Sequence, residues 1–136
     1  MAMKPGLWYF AHPYSARCQD QDGRYHADVE EANYRLACVR AAELVQRGYN
    51  VFSPICHSHP IQQHWPALLE REHEARNRLW YGLDDEIIVA AHWQGIILAP
   101  HWEESKGCVH EVGQFREMGL RVLYYDDVVR KEATVW

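Results

Sequence analysis

The chain has no Cys-x-x-Cys pair, no His-Glu-x-x-His, no Gly-x-Gly-x-x-Gly and no Gly-x4-Gly-Lys-[Ser/Thr]. The first two absences remove the commonest zinc signatures, and the last two remove the dinucleotide fingerprint and the P-loop. No run approaches the roughly 18 consecutive apolar residues of a membrane span. The start "MAMKPGLWYF" lacks the long apolar stretch that follows a charged segment in a secretory signal. Four widely spaced cysteines, Cys18, Cys38, Cys56 and Cys108, are therefore expected to be reduced thiols in a cytoplasmic protein. There is also no concentrated basic stripe. A net charge of -5 and a pI near 6.0 argue against a nucleic acid polymer as partner, while a small anionic ligand needs only one or two local donors.

What is present is an alternation of elements along 136 residues, which length alone assigns to a single domain. "LWYFAHPY" (residues 7–14) reads as a buried strand closed by Pro13. After a polar segment, Val29, Ala32, Leu36, Val39 and Ala42 recur at helical spacing, with Gly48 where a C-cap belongs. "YNVFSPI" (49–55) reads as a second strand stopped by Pro54, and "HPIQQHWPALLEREHEARNRLW", a polar, aromatic stretch with Pro60 and Pro66 near its start, follows with a helix expected beyond them. A helix over about 80–91, a strand at "GIILAP", a helix over about 105–118 ended by Gly119, a strand at "RVLYYD" and a short helical tail complete the pattern. Such alternation implies a parallel sheet of four to five strands with helices on both faces, whose ligands lie beyond the carboxyl ends of the strands. Those ends are "AHPYS", "SPICHSHP" and "APHWEESKG".

Ser105, Lys106 and Gly107 stand at a strand-to-helix junction, where Ser105 suits an N-cap, one wall of a phosphate site, or both. Glu111 lies six residues on, roughly 9 Å along the helix at 1.5 Å per residue. That is about the span from the 5′-phosphate of a nucleotide to its anomeric carbon. Val109, Val112, Phe115 and Met118 mark the expected buried side, placing Glu111 at its margin. Asp84 and Asp85, expected at a helix start, suit either dipole capping or partnership with Glu111, because glycosidic cleavage needs two carboxyl groups. His57 and His59 in "CHSHP" suit contact with a base or phosphate better than a metal, since zinc sites bring more ligands at tighter spacing. Tyr9, Tyr14, Trp65, Trp80 and Trp102 are candidates to line a pocket for a flat ring, with core packing as the ordinary alternative.

"YFAHPYS", the turn into "SPICHSHP", and above all "GIILAPHWEESKGCVHEVGQFREMGLRVLYY", with its Trp-x-x-Ser-x-Gly-x-x-x-Glu pattern, resemble the nucleoside 2-deoxyribosyltransferase-like superfamily. The resemblance extends over nearly the whole chain and is nearest to a bacterial and phage branch. It implies a flavodoxin-like or Rossmann-like α/β fold, a homodimer or larger assembly, no cofactor, and cleavage of the N-glycosidic bond of a nucleoside or nucleotide. By position it implies Glu111 as nucleophile, Ser105 as the small polar residue facing the 5′ end of the substrate, Tyr9 as the aromatic of the first strand, and Asp85 or Asp84 as the acid serving the base. "AHPYS", with His12 and Tyr14, replaces a glycine-richer loop, so base specificity does not transfer. Ser rather than Asp at 105 tolerates a 5′-phosphate, which favours nucleotide hydrolysis over base exchange. Base exchange, a non-catalytic nucleotide-binding module and a histidine-based metal hydrolase are the competing readings.

Overall fold

The computed structural model describes residues 2–133, without the side chains of 132 and 133. Among them, four parallel strands form one sheet: β1 (Leu7–Ala11), β2 (Asn50–Phe52), β3 (Trp93–Leu98) and β4 (Arg121–Tyr124), in the order β2-β1-β3-β4. The helices are α1 (Ala27–Gln46), α2 (Pro54–Gln63), α3 (Pro66–Leu69), α4 (His73–Ala90), α5 (Lys106–Glu117) and α6 (Tyr125–Ala133). This is the α/β Rossmann-like architecture that the alternation implies, with the strand order of a flavodoxin-like sheet. None of these helices is long and apolar enough to cross a membrane.

Strand alternation divides the core. Trp8 and Phe10 pack with Leu44, Tyr49, Ile97 and Val128 on the face covered by α1 and α6. Tyr9 and Ala11 pack with Ile88, Ile96, Val112 and Phe115 on the face covered by α4 and α5. Burying aliphatic side chains of this kind contributes about 1.5–3 kcal/mol each. Because β2 lies on one side of β1 and β3 on the other, successive crossovers diverge at the carboxyl ends of β1 and β3. A crevice opens there.

Several expectations need correction. β1 ends at Ala11 and β2 at Phe52, so "HPY" and "SPI" lie outside the strands. Pro54 does not merely stop a strand. It occupies the first turn of α2, where its missing N–H costs nothing, and the Ser53 hydroxyl caps that helix by accepting from the Cys56 amide. His57 and His59 are therefore helical. α4 starts at His73 rather than near 80, so Asp84 and Asp85 lie well inside it and cap nothing. The stripe Val29, Ala32, Leu36, Val39, Ala42 is helical but turns largely outward, with Val39 64% exposed. α1 instead buries Glu30, Ala37 and Leu44. On α5, Val112 and Phe115 are buried, but Val109 and Met118 are exposed because only a narrow stripe of that helix meets the sheet.

Gly95 sets how closely β3 can approach its neighbours. A Cβ there would lie 2.2 Å from the Arg121 carbonyl oxygen on β4 and 2.8 Å from the Trp8 ring on β1. Relief requires backbone to move. Gly95→Ala is expected to destabilise the fold by about 1–3 kcal/mol, read as a lower urea midpoint; an unchanged midpoint would show that β3 tolerates a side chain at this contact.

Candidate active site

α5 begins where the loop after β3 turns through a short 3-10 segment, Trp102–Glu104. Ser105 is its N-cap: the Ser105 Oγ accepts from the Cys108 amide at 3.2 Å. Gly107 follows because the start of α5 presses on α4; a Cβ there would lie 3.1 Å from the Tyr81 ring. One further turn carries Glu111 inward. It is buried, with 7% exposure, on a helix whose neighbouring Val112 and Phe115 face the sheet.

The Tyr9 hydroxyl, reaching from β1, donates to Glu111 Oε2. Burial, then the charges of Glu111 and Asp84, raise the phenol well above its ordinary value, so it stays a donor. Burial also pushes the Glu111 carboxyl up to about 8, with the Asp84 and Asp85 charges adding to the rise and the Tyr9 bond opposing it. Asp84 is pushed up to about 7, by burial first and the Asp85 charge second. The two neighbours on α4 separate cleanly. Asp84 is buried and turned into the crevice, while Asp85 is partly exposed and accepts from His110 Nε2 at 3.1 Å and Gln114 Nε2 at 3.2 Å.

Glu111 and Asp84 line a narrow chamber of about 50 Å³, together with His12, Tyr14, Trp80 and Ser105 among others. It adjoins an outer basin of about 430 Å³, and Ser15, Asn77, Tyr81 and Ser105 border both. Arg17, Arg78 and Lys106 give the basin wall positive charge, offset in part by Glu74 and Glu104. Arg17 is engaged with Glu104 at 2.7 Å. The chamber holds a few water-sized groups, and the basin holds the bulk of any ligand.

His12, buried, donates from Nδ1 to the Pro13 carbonyl at 2.8 Å and accepts at Nε2 from Arg40 at 2.9 Å. Burial lowers it to about 4, so it is neutral near pH 7. Tyr14 presents its ring to the chamber while its hydroxyl meets Glu30, His59 and Gln62. Gln62 Oε1 also accepts from the Trp80 indole at 3.0 Å, so one buried amide is tied to two aromatic walls. His59 bridges Tyr14 and Glu31 behind the wall and does not line the chamber. His57 is exposed beside Phe52, and Trp102 packs against the core and Arg116. These two, with Trp65 and Asp85, are not among the chamber's lining residues. Among the described residues, no three His, Cys, Asp or Glu side chains converge as a metal-binding group.

The chamber also contains residues that motif and spacing do not single out: Ser15, Ser58, Asn77 and Tyr81. Asn77 donates to Ser15 at 3.1 Å, joining α4 to the loop after β1. Ser58 stands between His57 and His59, the more conspicuous pair by residue type; helical rotation in α2 turns the serine toward the chamber instead. Two residues carry buried side-chain atoms without a partner here, Ser58 Oγ and Asp84 Oδ1. Leaving such atoms unsatisfied costs about 1–3 kcal/mol each.

A family model described as "Domain of unknown function (DUF1937)" matches residues 6–127, a span that includes every residue lining the chamber. No curated protein matches the sequence.

The raised carboxyl values have a consequence for stability. Glu111 binds its proton more tightly in the folded chain than in the unfolded one, so its contribution is intact below about 4.5 and is lost as pH rises through about 8. Glu111→Gln keeps an acceptor for Tyr9 and carries no charge. Its melting temperature is expected to fall less than that of the wild type between pH 5 and 8, and to exceed it at the upper end. Parallel curves would mean that the buried carboxylate carries no such cost.

Proposed function

The chain belongs to the family described as "Domain of unknown function (DUF1937)", a description without an activity, and from the crevice itself we propose that it cleaves the N-glycosidic bond of a nucleoside 5′-monophosphate. The observation that carries this reading is the pairing of buried Glu111, held by Tyr9, with buried Asp84 in one chamber at the carboxyl ends of the strands. It agrees with the resemblance to the nucleoside 2-deoxyribosyltransferase-like superfamily.

In the proposed reaction, the Glu111 carboxylate attacks C1′, the bond from C1′ to the base nitrogen breaks, and Asp84 gives its proton to the departing base. Water then attacks C1′ of the glycosyl ester, Asp84 takes a proton from it, and the Glu111 carboxylate leaves. Tyr9 orients Glu111 throughout. Values of about 8 and about 7 allow the pair to hold about one proton in common between those limits, and the reactive form carries it on Asp84. Of the two neighbours that the sequence leaves open, the reading takes Asp84, because Asp84 lines the chamber while Asp85 accepts from His110 and Gln114 outside it.

The phosphate lies at the mouth, against Ser105 and the first amides of α5, where the helix dipole favours negative charge. Lys106 and Arg78 add positive charge to that rim. The flat ring of the base lies toward Tyr14 and Trp80. The reading includes no cofactor and a cytoplasmic homodimer. Apolar Leu79, Leu83 and Val89, which α4 leaves outward, support the dimer, and four free thiols support the compartment.

The test is release of free base from a panel of nucleosides and matched 5′-monophosphates, with wild type and Ser105→Asp. Monophosphates are expected to be favoured by about tenfold or more in kcat/KM, and Ser105→Asp to erase that preference by placing like charges together in a partly dry crevice. Equal phosphate preference in both proteins would remove Ser105 from the phosphate site. No release from any substrate would remove the reaction.

A further inference from the structure

Ser58 is 7% exposed, lines the chamber from α2, and its hydroxyl has no partner. Asp84 lines the same chamber from α4 with the same exposure, and its Oδ1 is also unpartnered. Buried hydroxyls and carboxyl oxygens ordinarily find partners, and two orphans around one chamber indicate a ligand that supplies them. The three atoms so left among the described residues include only one elsewhere, Gln114 Oε1.

The ligand group has to suit both the chemistry and the space. A hydroxyl donates one hydrogen bond and accepts others, so it can give to Asp84 and accept from Ser58, whose proton turns into the chamber by rotation about the Cβ–Oγ bond. The chamber, with about 50 Å³ open to water-sized groups, gives such a hydroxyl room beside Glu111. In the proposed reaction, the group that meets Glu111 in this space is the sugar. The 2′-hydroxyl stands on the carbon next to C1′, where Glu111 and Asp84 act, so we propose that Ser58 Oγ and Asp84 Oδ1 bind it, with the Asp84 proton on its other oxygen, and make the chamber a ribose site that discriminates against 2-deoxyribose. The inference rests on the proposed reaction for its orientation of substrate, and it extends that reaction by specifying the sugar. Ser58 acts here as a binding and specificity residue, with no part in bond cleavage.

Ribose 5-phosphate and 2-deoxyribose 5-phosphate test this without turnover. Calorimetric titration of the wild type should give tighter binding of ribose 5-phosphate. Ser58→Ala should weaken that binding by about three- to tenfold, as expected for one neutral hydrogen bond, and change 2-deoxyribose 5-phosphate by less than about twofold. A structural serine behaves differently. Because its hydroxyl bonds no other group of the protein, Ser58→Ala should leave the ligand-free melting temperature unchanged or raise it. Equal binding of the two sugar phosphates by the wild type overturns the inference whatever the variant does. A lower melting temperature of Ser58→Ala with unchanged sugar preference also overturns it. Base release from nucleotides without discrimination between the sugars removes the Ser58 assignment and leaves the reaction standing. Sugar discrimination without base release from any nucleotide does the reverse.

Discussion

A carboxyl group on α5 that would ordinarily sit in water is instead buried against a phenol from the central strand. Glu111 and Tyr9 form the contact around which the crevice is arranged. Removing water from a carboxylate is unfavourable, and a single neutral hydrogen bond offsets only part of it. Glu111 accordingly holds its proton to about 8, and Asp84 holds its own to about 7. A protein selected only for stability has easy alternatives at both positions, such as an amide or an apolar residue. Keeping two buried carboxyl groups of raised proton affinity in one chamber is what the proposed acid and nucleophile require.

The rest of the fold supplies rigidity to that arrangement. Tyr9 is locked between Phe52, Trp93 and Phe115, with ring centroids 5.3–6.1 Å apart. α5 is anchored by Val112 and Phe115 on one side of Glu111, while Gly107 allows its first turn to close on Tyr81. Opposite, buried Glu30 receives the Tyr14 and Tyr25 hydroxyls, Gln62 and Arg76, so three helices and the loop after β1 converge on one carboxylate. That network keeps the aromatic wall in place. Its satisfied polar atoms contrast with the orphaned oxygens of Ser58 and Asp84 on the chamber side.

Much of this was legible in the sequence, for physical reasons specific to each element. The alternation of strand and helix patterns along the chain and the Ser105 N-cap arise from local geometry, so the parallel sheet and the start of α5 could be read directly, whereas Glu111, expected at the margin of the buried face, lies within it. The face of α1 could not, because its buried side contains Glu30, whose partners come from residues 14 to 76. α2 was hidden by Pro54, which reads as a strand stop or a helix start depending on whether the Ser53 hydroxyl caps the next turn. Asp84 and Asp85 are adjacent in sequence but about 100° apart around a helix. The choice between them depends on which face of α4 meets α2, α5 and the loop after β1 around the chamber, and local sequence does not set that. His57 and His59 were conspicuous by type, while Ser58 between them was not.

Covalent capture of the sugar on Glu111 tests the account most directly. The protein is mixed with nucleoside 5′-monophosphates, quenched in acid during turnover, and its intact mass and peptides are measured. The account predicts a pentose 5-phosphate increment on the peptide containing Glu111, absent from Glu111→Gln. Base release with the increment on another residue, or with no increment at any quench time and undiminished turnover by Glu111→Gln, would contradict it.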